Sequence, residues 1–299
     1  MAEYVMIEAP SVLGLFPSGV EHLPEALLDA GLADILEARH AGRVVPPPYD
    51  PVRDTATGVL NPTGIRDYAL QLADATGTVL DRGEVPIVLG GDCSILLGPL
   101  LALRRRGRYG LLFMDGHADF YEPDAEPNGE AASMDLALAT GRGPSLLANL
   151  EGRGPLVRDD DVVQFGRRDA EEAESAGSQR IEETAISVIN LPTIRHRGAV
   201  PTARDALQRL RRPVLDGFWL HLDCDVIDDV LMPAVDYRLP NGLTWEELET
   251  VIRAATYSGG LVGLEVTIFN PALDRDGTIA GAVVDCLVAG LKSRQPESE

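Results

Sequence analysis

Leu111-Leu112-Phe113-Met114-Asp115-Gly116-His117-Ala118-Asp119-Phe120 is an apolar run ending in Asp, His and Asp spaced two apart. Read as a strand, it points alternate side chains the same way, with i and i+2 separated by roughly 6.6 Å. Where the strand relaxes into a loop, the three groups can turn on one point. Two carboxylates beside an imidazole carry negative charge that a divalent cation neutralises. Taken alone, the pattern also fits a polar strand end whose carboxylates cap a helix or sit in water.

Two further stretches repeat the pattern. Gly217-Phe218-Trp219-Leu220-His221-Leu222-Asp223-Cys224-Asp225-Val226 is again apolar and delivers His221, Asp223 and Asp225 to one strand face. Upstream, Val85-Pro86-Ile87-Val88-Leu89 runs into Gly90-Gly91-Asp92-Cys93-Ser94. Three apolar strands that each end in potential ligands suggest a two-metal site.

Outward from these strands, strands and helices alternate. Expected strands are 4–7, 85–89, 109–114, 161–165, 186–190, the one ending at Asp225, and 261–266. Helices are expected over 24–38, 63–82 (capped by Thr63 and closed by Gly83), 94–106, 131–139, 168–183, 201–210, 244–257 and 277–291. Thr244-Trp245-Glu246-Glu247 is a capping box. Residues 41–62 read as extended and irregular, and Phe120 to Glu130 as a long loop suited to substrate contacts. The alternation predicts an α/β fold: three layers, a mainly parallel sheet with helices on both faces. No linker or internal repeat is visible, so one domain over 1–299 is expected. Sites in such sheets lie at the carboxyl ends of strands, where all three motifs fall.

Composition narrows the function classes. The chain has 299 residues, 45% hydrophobic and 24% charged, which is ordinary for a globular protein. A formal charge of -21 argues against nucleic acid or an anionic membrane as partner. Cys93, Cys224 and Cys286 show no paired spacing, which fits a reducing cytoplasm. There is no signal-peptide pattern and no apolar run of about 18 residues, so a cytoplasmic protein is expected. No P-loop, nucleophile elbow or dinucleotide-binding turn occurs.

The chain resembles the arginase/agmatinase/formiminoglutamase family, the ureohydrolases. That family carries GGDHS, DAHxD and SxDxD at successive strand ends. Here they read Gly90-Gly91-Asp92-Cys93-Ser94, Asp115-Gly116-His117-Ala118-Asp119 and His221-Leu222-Asp223-Cys224-Asp225. Weaker echoes are Gly242-Leu243-Thr244, and Gly263-Leu264-Glu265 leading to Asn270-Pro271. The resemblance implies an arginase-like fold and two Mn²⁺ ions bridged by a hydroxide that attacks a guanidinium or amidine carbon. It implies Cys93, Asp115, Asp119 and Asp223 at one ion, and His117, Asp115, Asp223 and Asp225 at the other. Asp115 and Asp223 would bridge. It also implies a small guanidino or amidine substrate and a homo-oligomer, a trimer or hexamer.

Departures qualify the carry-over. Cys93 replaces a metal-ligating His, and a thiolate shifts preference from Mn²⁺ toward Zn²⁺ or another later metal. Ala132 stands where arginases have a proton-shuttling His, leaving Glu130 and His221 as candidates. Ile268 replaces the Glu that holds a guanidinium, and Glu265 falls at an Asp three residues earlier. Tyr121, Asn128, Arg238 and Glu265 are the expected substrate contacts, Arg238 for a carboxylate. The reading is a metal-dependent amidinohydrolase releasing urea or a urea-like product. The alternatives are a non-catalytic metal- or ligand-binding relative and a metal-dependent deacylase on this scaffold.

Overall fold

In the computed structural model, which describes residues 3–292, all eight strands join one parallel sheet. They are β1 (Tyr4–Glu8), β2 (Arg39–Arg43), β3 (Val85–Leu89), β4 (Gly110–Met114), β5 (Val162–Phe165), β6 (Ser187–Ile189), β7 (Phe218–Asp223) and β8 (Leu261–Thr267). The order across the sheet is β2-β1-β3-β8-β7-β4-β5-β6, and every adjacent pair is parallel. Central strands are apolar on both sides because helices cover both faces. Met6, Leu112, Met114, Leu220 and Leu222 pack into one core with helices Leu23–Asp29, Ala199–Leu210, Trp245–Tyr257 and Thr278–Leu291. Val5, Ile7, Leu111, Phe113 and Trp219 pack into the other with helices Pro62–Leu80, Leu97–Arg104 and Asp135–Ala139. This is the three-layer α/β fold expected from the alternation.

Several boundaries differ from the expected ones. The helix expected over 24–38 is two, Leu23–Asp29 and Leu32–Leu36, broken where Gly31 adopts φ 91°. Helix Pro62–Leu80 starts after Asn61, so Thr63 lies inside it and does not cap it. The stretch 94–106 opens as a 3₁₀ turn, Cys93–Leu96, before the α-helix. Edge strand β2 was not expected, its last three residues falling in the stretch read as irregular, and neither was helix Leu191–Arg197. The capping box forms as read, with Thr244 and Glu247 bonding reciprocally.

Candidate metal centre

Four central strands, β3, β8, β7 and β4, present their carboxyl ends side by side. After β3 the chain turns through Gly90-Gly91, where a Cβ on Gly91 would lie 1.8 Å from the Ser11 carbonyl oxygen. Asp92 then caps the following turn by accepting from Ser94 N at 2.9 Å. This aims Cys93 inward: its Sγ lies 3.0 Å from Asp223 Oδ2 and 3.2 Å from Thr267 Oγ1.

After β4, Asp115 Oδ1 accepts from His117 N at 2.6 Å, and Gln164 Nε2 donates to the carbonyls of Asp115 and His117. Asp119 follows at φ 45°, a left-handed conformation that Asp tolerates better than bulky residues do. After β7, Asp223 Oδ1 accepts from Asp225 N at 2.7 Å. Asp225 in turn accepts from Gly116 N at 3.0 Å and faces His117 Nδ1 at 2.8 Å.

The six residues expected as ligands therefore converge. Ligand atoms of Asp115, His117 and Asp119 lie within 4.8 Å of one another, as do those of Asp115, Asp223 and Asp225. Cys93 groups with His221 and Asp223, and separately with Asp119 and Asp135. Asp135, at the start of a short helix, was not expected here. It is fully buried, and neither carboxylate oxygen accepts a hydrogen bond. Its only advance signal was an acid between the apolar Met134 and Leu136.

The electrostatics are those of crowded acids. Burial, then the neighbouring Asp225 charge, pushes Asp115 up to about 6. Burial and the surrounding carboxylates raise Asp119, Asp135 and Asp223 well above the ordinary range. Burial opposes the charge on His117, but Asp225 and Asp115 outweigh it and raise its pKa. Burial also works against the Asp225 carboxylate, yet His117 beside it holds its pKa low. Burial and Asp223 raise the Cys93 thiol. Asp115 Oδ2 and His221 Nε2 are buried without partners. Orphaned donor atoms and excess negative charge at one point fit divalent cations.

Above the carboxylates opens a cavity of about 260 Å³. Tyr121, Glu126, Asn128, Glu130, Tyr237 and Ile268 form its walls, and no Lys or Arg lines it among the described residues. Glu130 is buried and accepts from Tyr237 Oη at 2.6 Å and from Phe16 N at 3.2 Å. Burial raises its pKa. Ile268 adopts φ 70°, an unusual conformation for a β-branched residue.

Two residues expected at the substrate lie elsewhere. Arg238 is exposed and donates to Asp229 O at 2.7 Å, away from the cavity. Glu265 is fully buried behind the ligands, 2.8 Å from His221 Nδ1, because β8 pairs it in register with β7. His221 is likewise buried beneath the cavity and does not line it. Glu126 and Tyr237, which do line it, were not expected. Tyr237 comes from the loop after β7, and sequence spacing says nothing about where that loop folds back.

Residues 2–289 match the model of the Arginase family. An arginase of Staphylococcus aureus (strain MRSA252) is 26% identical over 283 residues, covering 92% of each chain. An arginase of Bacillus caldovelox is 27% identical over 286 residues, covering 93% of this chain and 94% of the relative. The crystal structure of arginase from Bacillus cereus superposes with a TM-score of 0.87 at 26% identity, covering 99% of this chain and all of that one. The chain belongs to the arginase family.

Proposed function

We propose that the protein is a metal-dependent hydrolase that cleaves a C–N bond of a linear guanidino or amidine compound, releasing urea or a urea-like product. The carrying observation is the convergence of Cys93, His117, Asp119, Asp223 and Asp225 at the floor of an acidic cavity, with Asp115 buried among them. Cys93, Asp115, Asp119 and Asp223 would hold one divalent cation, and His117, Asp115, Asp223 and Asp225 the other. Bound there, the pair supplies an acidified water against an electrophilic carbon.

The chain's own residues do the rest. Gln164 and Asp169 fix the loop that carries His117 and Asp119, through the carbonyls of Asp115 and His117 and through Ala118 N. Expulsion of the amine needs a proton; Ala132 has none to give, and Glu130, a buried carboxyl of the cavity wall, is the proposed donor. A carboxyl whose pKa is raised by burial holds its proton closer to neutral pH.

The walls bear on substrate choice. Glu126 and Glu130 line the cavity, and among the described residues no Lys or Arg lines it, so a free carboxylate beside those walls meets like charge. The relatives are named arginases. In this chain Ile268 makes an apolar wall, and Tyr121 and Asn128 offer polar contacts. The reading favours guanidino compounds whose far end is cationic or uncharged.

The test is a panel of guanidino and formimino compounds, arginine, agmatine and N-hydroxy-arginine among them, scored for urea, hydroxyurea or formamide. We expect kcat/KM to favour amine-ended or neutral compounds over carboxylate-ended ones by about tenfold or more. No turnover of any compound with Mn²⁺, Zn²⁺, Co²⁺ or Ni²⁺ discards the proposal.

A further inference from the structure

His221 and Asp223 share one face of β7, and His221 is fully buried. Its ring stacks on Phe113 of the adjacent strand, centroids 4.5 Å apart and planes within 8°. Glu265, its register partner on β8, sits 2.8 Å from Nδ1. A carboxylate at that distance takes the Nδ1 proton as a hydrogen bond, which leaves the lone pair on Nε2. That nitrogen has no hydrogen-bond partner. A ring nitrogen of His221 lies within 4.8 Å of ligand atoms of both Cys93 and Asp223.

A buried imidazole nitrogen without a donor is costly, unless a cation takes its lone pair. Metal-bound histidines commonly place one nitrogen on a carboxylate and the other on the ion; here one nitrogen meets Glu265 and the other has no hydrogen-bond partner. The neighbouring sulfur makes the donors at this point nitrogen, sulfur and oxygen together, a set that suits Zn²⁺ and not Mn²⁺.

We propose that the cation held by Cys93 also takes His221 Nε2 as a ligand, with Glu265 orienting the ring, and that this position selects Zn²⁺ over Mn²⁺. The proposal rests on the reading of the site as a metal centre, but not on turnover. His221 is therefore a ligand, not the proton carrier, and Glu265 is its positioning residue.

The test is zinc K-edge X-ray absorption on the intact zinc-loaded protein, with elemental analysis after equilibrium dialysis against Zn²⁺ or Mn²⁺. We expect sulfur scattering at about 2.3 Å and two imidazoles, those of His117 and His221. His221→Gln should lose one imidazole, keep the sulfur, and bind zinc about 10–100-fold more weakly at one position. Glu265→Gln should keep both imidazoles and weaken binding at that same position. Wild-type protein that takes up zinc with a single imidazole overturns the assignment and leaves the hydrolase proposal standing. So does preference for Mn²⁺ at the sulfur-bearing position. No metal uptake overturns both. The wild-type imidazole count decides the matter even if His221→Gln fails to fold.

Discussion

Tyr237 and Glu130 form the most consequential pair of side chains outside the ligand cluster. The Tyr237 hydroxyl stabilises the Glu130 carboxylate, opposing the burial that raises its pKa. Tyr237→Phe should therefore raise that pKa further and carry the basic limb of the pH–rate profile upward. Glu130→Gln should lower kcat by about 10²–10⁴ if this carboxyl gives up the proton, with metal content unchanged. A profile unmoved in Tyr237→Phe would place the proton elsewhere. At this scale the sequence was informative at the ends of apolar runs. Asp115, His117, Asp119, Asp223 and Asp225 could be read because each set follows an apolar run at two-residue spacing, although only Asp223 lies within a strand and the others follow in the turns after β4 and β7. Asp135 could not, since a short helix beyond a long loop brings it beside Asp119. Arg238 was placed by analogy of position, but its partner Asp229 lies in an irregular loop that spacing does not resolve.

The turn after β3 is the element on which Cys93 depends. A methyl at Gly91 would collide with backbone at Ser11, which cannot rotate away as a side chain would. Gly91→Ala should cost several kcal/mol, about 3 or more, and lower both melting temperature and bound metal. Thr244→Ala provides the contrast. It removes half of a capping box remote from the site, so it should cost about 1 kcal/mol and leave metal content intact. Of the elements, those with strong apolar periodicity were legible and the remainder were not. Strand β2, Arg-His-Ala-Gly-Arg, is an edge strand paired only with β1, so it lacks the apolar signature of the inner strands. Its position is held instead by Glu8, which bonds Arg43 and lies 3.3 Å from His40. Helix Leu191–Arg197 is too short for periodicity, and Pro192 in its first turn reads as readily as a loop.

At the scale of the molecule, the buried acids couple stability to protons and to metal. In chelated protein, Asp115 is raised to about 6, and burial among like charges raises Asp119, Asp135 and Asp223 well above the ordinary carboxylate range. The folded form then binds protons that the unfolded form has already released, so stability falls as pH rises from about 4 through those raised values. Metal-free protein should melt a few degrees higher at about pH 5.5 than at about pH 8. With zinc or manganese added the order should reverse, because cation binding requires deprotonated ligands. Scanning calorimetry at the two pH values with and without chelator checks both signs. The strand order carries a further consequence. Because β8 lies between β3 and β7, a chain emerging from the ribosome holds its thiol and its Asp223 carboxylate in two half-sheets with no seam joining them. The seam closes only when residues 261–267 arrive, so the position shared by Cys93 and Asp223 cannot form until nine-tenths of the chain has been translated.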